Sequence, residues 1–247
     1  MFFTPSKCET LAHSSSSANY TNFHEVDLTM LLLSLYRILS YKMIIFLRHA
    51  QAENNTKRIL AGRTEGVPLT KTGIQQAEQI SEYLKPLDIS AIYSSPIERA
   101  KHTAEIVTKN SAIDVELDDR LTEIDMGKFT RMNYDDMFAK YGNIFLKFYE
   151  NDPVIAEHEV ETFPSVQKRI LDMVDHVIKK HKNENVILVT HMDPIKSMLA
   201  NVMDLKPKTL FELIIANASF TILTEQERKF SLSAINAMNI DRYQQIW

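Results

Sequence analysis

A chain of 247 residues with 45% hydrophobic content and a formal net charge of −4 can bury a full α/β core, in one domain or two. That charge supplies no broad basic field, so nucleic acid is not an expected partner. The single cysteine, Cys8, rules out an intrachain disulfide framework and fits a reducing, cytoplasmic setting. No spacing of His, Cys, Asp and Glu matches a zinc site or an EF-hand, so no metal ligand set is expected.

Residues 1–42 differ in character from everything after them. Ser14 to Ser17 form a polar run without periodicity. Leu28 to Leu39 is apolar but short, and it carries Arg37. Crossing a bilayer takes about 20 apolar residues, so no membrane span is expected. Glu25 and Asp27 precede the apolar run and no small-residue cleavage site follows it, which argues against an export signal. The expectation is a disordered or dispensable extension, with residues 43–247 forming the compact domain. The alternative is an amphipathic helix that docks on the domain or on a partner.

Met43-Ile44-Ile45-Phe46-Leu47 is a short continuous apolar run, the pattern of a central strand buried on both faces, and it leads straight into Arg48-His49. After a polar stretch with turns at Gly62 and Gly66, Thr70 caps a helix to about Leu84, with Ile74, Ala77, Ile80, Tyr83 and Leu84 on one face. Ile89 to Tyr93 is a second strand, followed by Ser95 as N-cap and Pro96 as first residue of a helix whose first turn holds Arg99. Ile113 to Leu117 is a short strand. Residues 118–161 form a small helical cap insertion, with helices at Asn133–Tyr141 and Ile144–Glu150 and a stop at Asp152-Pro153. A helix over Ser165–Lys182 buries Val166, Ile170, Val174 and Val177. The strand Val186–Thr190 then leads into His191, and Asp193 with Pro194 starts a helix to about Val202. Phe211–Ile215, Ala218–Thr224 and Phe230–Ile235 are expected to close one edge as strands. The alternation predicts a three-layer α/β/α sandwich with a mostly parallel central sheet.

In such sheets ligands gather beyond the carboxyl ends of the strands. If the strands ending at Arg48-His49, Ser94-Ser95 and Thr190-His191 are parallel neighbours, two histidines and two arginines meet at one edge. Two guanidinium forks in one cleft suit an oxygen-rich dianion such as a phosphoryl group.

Five blocks now carry a family resemblance: Leu47-Arg48-His49-Ala50 with Asn55; Pro68-Leu69-Thr70-Lys71-Thr72-Gly73; Ser94 to Ala104; Leu121-Thr122-Glu123-Ile124-Asp125-Met126-Gly127; and Val189-Thr190-His191. In this order, over Met43 to Thr224, the chain resembles the histidine phosphatase superfamily, the phosphoglycerate mutase-like proteins. The resemblance implies that His49 is the nucleophile, forming a phosphohistidine, and that Glu123 is the general acid and then the base that activates water. It implies that Arg48, Arg99 and His191 hold the phosphoryl oxygens, His191 as a cation, with Asn55 an auxiliary contact and no metal or other cofactor required. Three positions depart from the family pattern: Ala50 for glycine, Ala52 for a hydroxyl residue, and Met192 for the glycine after the second histidine, whose backbone N–H can still reach phosphate. Arg63 and Gly62 are candidates for leaving-group contacts, and Arg58, Lys128 and Arg131 are as readily solvated surface charges. Phe145, Phe148 and Tyr149 at helical spacing are read as core, His102, His176 and His181 as solvated or surface-paired, and His158 as a loop histidine of the cap, with a substrate contact as the alternative.

The expected activity is hydrolysis of a small phosphorylated metabolite. Beyond Glu123 the sequence follows the phosphatase branch, and the domain from Met43 is short for a mutase. The alternatives are a 2,3-bisphosphoglycerate-dependent phosphoglycerate mutase, a phosphoprotein phosphatase, and an inactive phosphate-binding module. A homodimer stays open as an assembly state, and no membrane partner is expected.

Overall fold

The computed structural model describes residues 42–226 and 229–238. The expected extension over residues 1–42 lies outside them except for Lys42, where the first strand already begins. Strands β1 (Lys42–Arg48), β2 (Ile89–Ser94), β3 (Val115–Leu117), β4 (Asn185–Thr190), β5 (Phe220–Gln226) and β6 (Lys229–Ala237) form a six-stranded sheet in the order β3-β2-β4-β1-β5-β6. The first four run parallel, and β5 and β6 are antiparallel at one edge. β1 is paired on both sides, with Phe46 opposite Leu188 of β4 and Thr221 of β5. Its unbroken apolar sequence follows from that position, because each successive side chain meets a different helical layer.

Ile45 and Leu47 pack beneath α2 (Lys71–Leu84) and α3 (Glu98–Thr108), against Ala77, Ile80, Ala100 and Ala104. Ile44 and Phe46 face the opposite layer, where α7 (Phe163–Lys180) and α8 (Met192–Met203) supply Ile170, Val174, Ile195 and Leu199. Full burial of each such side chain contributes about 1.5–3 kcal/mol. A third cluster, around Phe129, Met137, Ile144, Phe148 and Ile155, is the core of the cap, which carries α4 (Tyr134–Tyr141), α5 (Ile144–Glu150) and α6 (Val154–Glu157).

Several expected boundaries move. A single helical turn, α1 (Glu53–Lys57), interrupts the polar stretch after β1, and α5 ends before Asp152-Pro153 as expected, with Pro153 then opening α6. α7 begins at Phe163, two residues before the expected start, capped by Thr162. α3 starts at Glu98 with Ile97 in the cap position, so Ser95 is free for another partner, although its Oγ still accepts the Ile97 N–H at 3.2 Å. α8 starts at Met192, which places Asp193 inside its first turn and buries it. Phe211–Ile215 is not a strand. Pro207 opens a short helix, α9 (Pro207–Glu212), whose Leu210 packs into the cap. The Ala216 N–H then goes to the Asn236 side chain at 2.7 Å, not to a neighbouring strand.

Gly73 shows how tightly the layers are set. It lies in the first turn of α2, where the Thr70 hydroxyl accepts its N–H at 3.0 Å, and a Cβ there would fall 2.0 Å from the Gln51 carbonyl oxygen. Gly73→Ala is therefore expected to destabilise the domain by about 2–4 kcal/mol, because backbone must move to admit one methyl group. Urea unfolding followed by circular dichroism checks this, and an unchanged midpoint would contradict the close approach.

Candidate active site

The parallel register sets Arg48 opposite Thr190 and Ser94 opposite Val189, so β1, β4 and β2 end side by side. The chain just beyond β1 is held on all sides. The His49 N–H donates to the Thr190 carbonyl at 2.9 Å, the Ala50 N–H to the Thr103 hydroxyl at 3.1 Å, and the Asn217 amide to the His49 carbonyl at 3.0 Å. Ala50 is fully buried, which leaves room there for nothing larger.

The His49 ring is fixed by two hydrogen bonds. Nδ1 lies 2.7 Å from the Ala50 carbonyl, which can only accept, so Nδ1 carries the proton. Nε2 lies 3.3 Å from Arg99 Nε, which can only donate, so Nε2 keeps its lone pair. Burial, then Arg99 and Arg48, holds the pKa of His49 well below the usual histidine value. The ring is therefore neutral near pH 7, with its nucleophilic nitrogen turned to the guanidinium.

His191 sits with its ring centroid 5.1 Å from that of His49, and its Nε2 is 2.9 Å from Ser95 Oγ. Burial, Arg99 and His49 push its pKa well below the ordinary value too. The expected cationic ring is thus not what these surroundings favour. A phosphoryl dianion beside it would act in the opposite direction. Arg99 anchors Nη2 on the Gly62 carbonyl at 2.8 Å, and burial lowers its pKa to about 10. Arg48 donates Nη1 to the Ile215 carbonyl. Arg48 Nε, Arg99 Nη1 and His191 Nδ1 are buried without a hydrogen-bond partner. Native interiors rarely leave such groups unmatched, so this cluster calls for an acceptor-rich ligand.

Glu123 is raised to about 7 by burial first and Asp193 second, against the Ile124 N–H, Arg99 and Arg48. Its Oε1 accepts the Ile124 N–H at 2.9 Å. The backbone of Glu123 is fixed from two directions. Its carbonyl receives Arg63 Nε at 3.0 Å and Arg169 Nη2 at 3.3 Å, and both guanidiniums also pair with Glu161, at 2.8 and 2.9 Å. Arg169 further binds the carbonyls of Arg120 and Thr122 at 2.8 and 2.6 Å.

These residues open on a cleft of about 330 Å³, lined among others by Arg48, His49, Asn55, Gly62, Arg99, Glu123 and Met192. Its outer part is apolar, with Leu60, Ile124, Phe145, Phe211 and Leu213. Asn55 spends its Oδ1 on the Ala52 N–H at 2.9 Å. Arg63 does not line the cleft, being committed to Glu161 and Glu123. Arg58 does line it, exposed and ion-paired with Asp135 at 2.6 Å. His158 stacks against Phe129 and Tyr141 in the cap, and His181 pairs with Glu184. Among the described residues, no group of three or more His, Cys, Asp or Glu side chains is arranged to hold a metal ion, and no helix is long and apolar enough to cross a membrane.

Sequence reasoning missed the second row of the cleft. Tyr149, read as core, lines it, and its hydroxyl donates to the buried Asp193 carboxylate, read as a cap. Lys196 lines it as well and was not singled out. The available signal was a charged residue among Ile195, Met198 and Leu199, on the buried side of α8. Ser95, Glu161 and Arg169 were likewise invisible without the fold, since their partners His191, Arg63 and Glu123 lie 96, 98 and 46 positions away.

Comparison with known proteins agrees with this geometry. The chain is 33% identical over 196 residues to the 2,3-bisphosphoglycerate-dependent phosphoglycerate mutase of Thermoplasma acidophilum, covering 79% of this chain and 94% of the relative. It is 27% identical over 196 residues to phosphoserine phosphatase 1 of Hydrogenobacter thermophilus, covering 78% and 91%. The solved structure of Bacillus stearothermophilus YhfR superposes with a TM-score of 0.73 at 28% identity, covering 82% of this chain and 99% of that one. With residues 44–238 matching its family model, the chain belongs to the histidine phosphatase superfamily, branch 1.

Proposed function

We propose that the protein is a metal-independent phosphomonoesterase that hydrolyses a small phosphorylated metabolite through a phosphohistidine, and that residues 43–247 are its catalytic domain. The observation that carries this is His49, neutral, with Nε2 unprotonated beside Arg99 and two unmatched arginine donors nearby. In the first step Nε2 attacks phosphorus, the bond to the leaving oxygen breaks, and Glu123 gives that oxygen its proton. Arg48, Arg99 and His191 take the charge on the equatorial oxygens, where phosphoryl transfer needs it most. In the second step Glu123 takes a proton from water, the water oxygen attacks phosphorus, and the P–N bond breaks to free phosphate and His49. Asn55 and the Met192 N–H are auxiliary phosphate contacts in this scheme. A cytoplasmic setting fits the low cysteine content.

A second activity, the mutase, is favoured by one observation. The Thermoplasma acidophilum relative is a mutase by name and is matched over 94% of its length, so the shortness of the domain does not favour hydrolysis over the mutase. The two differ only in what receives the phosphoryl group from His49: water, or a second hydroxyl after priming by a bisphosphate. Incubating the protein with phosphorylated metabolites, with and without 2,3-bisphosphoglycerate, and following free phosphate and isomers together separates them. Phosphate release without primer supports hydrolysis, whereas isomerisation that needs primer replaces it with the mutase.

Two further outcomes test the site. His49→Ala is expected to remove all turnover and all acid-labile phosphate on the protein while the circular dichroism stays native, and residual turnover would exclude it as nucleophile. Glu123 must be protonated in the first step, so kcat/KM for alkyl phosphates is expected to fall as pH rises through about 7. Glu123→Gln should remove that limb and cost about 100- to 1,000-fold with alkyl leaving groups, but far less with p-nitrophenyl phosphate, which needs little protonation. An equal loss on both substrates would contradict the acid role. His49 should also stay neutral, protonated at Nδ1, at pH values where an ordinary histidine is already a cation, which 15N NMR of the ring nitrogens reads directly.

A further inference from the structure

The loop Ile214-Ile215-Ala216-Asn217-Ala218-Ser219, between α9 and β5, spends most of its polar groups on the two residues that leave β1. The Ile215 carbonyl accepts Arg48 Nη1, and the Ser219 carbonyl accepts the Arg48 N–H at 3.1 Å. The Ala218 N–H is shared between the carbonyls of Arg48 and His49, each at 3.2 Å. Ala218 holds a left-handed backbone there, φ 57°, which alanine rarely adopts, so the loop is held in shape from outside. That support is Asn236. On β6, Ala234 and Ala237 pair with Ile222 and Phe220 of β5, so β6 carries one extra residue between them. Asn236 lies in this bulge with φ 55°, a conformation asparagine tolerates better than most residues, and its side chain is turned to the loop. Oδ1 accepts the Ala216 N–H at 2.7 Å, and Nδ2 donates to the Ile214 carbonyl. The Ser219 hydroxyl lies 3.2 Å from the same Oδ1 and shares its proton with the Ala216 carbonyl.

One peptide plane joins Asn236 to the site. The Ile215 carbonyl and the Ala216 N–H belong to the same planar group. Asn236 grips the N–H end, and Arg48 Nη1 donates to the carbonyl end. Fixing the N–H therefore fixes where the carbonyl points, and a bonded N–H makes that carbonyl a stronger acceptor. The guanidinium is rigid and planar too, so holding its Nη1 aims the unmatched Nε. We propose that Asn236 is a positioning residue for the phosphoryl site. Through the 215–216 peptide it sets the plane of the Arg48 guanidinium, and through the same loop it steadies the His49 carbonyl that Asn217 and Ala218 hold. This rests on the assignment of Arg48 to the phosphoryl group. A simple tie between β6 and the loop could use any of its peptide groups. Asn236 instead takes the C=O and the N–H on either side of Ile215, the residue that holds the guanidinium.

The test follows p-nitrophenyl phosphate and glycerol 3-phosphate with the full chain, using inorganic phosphate as competing ligand. Asn236→Gly keeps the left-handed backbone and removes the amide. Both esters are expected to lose about 10- to 100-fold in kcat/KM, and equally, because the phosphoryl group is common to them. The inhibition constant of inorganic phosphate is expected to rise about 10-fold with them. Asn236→Asp keeps an oxygen for the Ala216 N–H and should recover most of that affinity. A purely structural tie would lower the melting temperature and the active fraction while KM and the phosphate constant stay unchanged. That result overturns the assignment and leaves the phosphatase standing, and so does a loss confined to one ester. Should Asn236→Gly fail to fold, the Ala216 amide proton in Arg48→Lys decides the matter. An upfield shift supports coupling across the peptide, and an unmoved resonance overturns it. Should the wild-type protein hydrolyse neither ester, calorimetric titration with inorganic phosphate still reads the inference. Weaker binding by Asn236→Gly than by wild type sustains it while the phosphatase falls, and a wild-type protein that binds no phosphate removes both.

Discussion

The interaction on which the site depends is the hydrogen bond between His49 Nδ1 and the carbonyl of its own neighbour, Ala50. It decides which ring nitrogen holds the proton, and therefore which one can act as a nucleophile. The bond exists because the chain at residues 48–50 cannot rotate. The Thr190 carbonyl, the Thr103 hydroxyl and the Asn217 amide fix the peptide groups around the ring, and the buried methyl of Ala50 closes the remaining space. Each of these comes from a different layer or strand. The tautomer of one imidazole is thus set by the assembly of the whole sheet, and it is set before any ligand arrives.

The same rigidity lets the fold tolerate an unfavourable concentration of charge. Arg99 is buried and Arg48 partly so, close enough that Arg48 lowers the proton affinity of Arg99, and each keeps one nitrogen unmatched. Isolated burial of this kind would drive local opening. Here it is offset by the apolar surface of β1 and β4, almost all of it removed from water between two helical layers. The interior supplies the stability and the strand ends consume part of it. Preorganised donors that need not reorganise during the reaction are the gain.

How much of this was legible in the sequence depends on the range of the interaction. Apolar runs entering Arg48-His49, Ser94-Ser95 and Thr190-His191 placed three strands correctly, because a strand buried on both faces writes itself as consecutive apolar residues. Helix α2 was readable from Thr70 for an equally local reason: the cap and the apolar face lie within its own 14 residues. Phe211–Ile215 misled because its apolar residues serve the cleft and the cap, and no local pattern separates that from a strand. Ser95 and Asp193 have the composition of helix caps, yet the fold spends them on His191 and Tyr149. The lowered proton affinity of His191 was not readable for the same reason, since the burial behind it comes from elements far away in the chain. Lys196 gave a weak local signal, a cation on a buried helix face, whose meaning appears only when Tyr149 is brought against it from the cap.

The double anchorage of Glu123 has a consequence for how the cleft can be altered. Its carbonyl is gripped by Arg63, next to the loop that carries Gly62, and by Arg169 on α7, with Glu161 tying the two guanidiniums together. None of these supports lies within α4, α5 or α6. The Glu123 carboxyl group is therefore mounted on the chassis, while Tyr134, Phe145 and Tyr149 of the cleft wall are carried separately by residues 134–157. Residues 134–157 form an exchangeable panel: they can be rebuilt to suit a bulkier or differently charged alcohol while the carboxyl group keeps its aim.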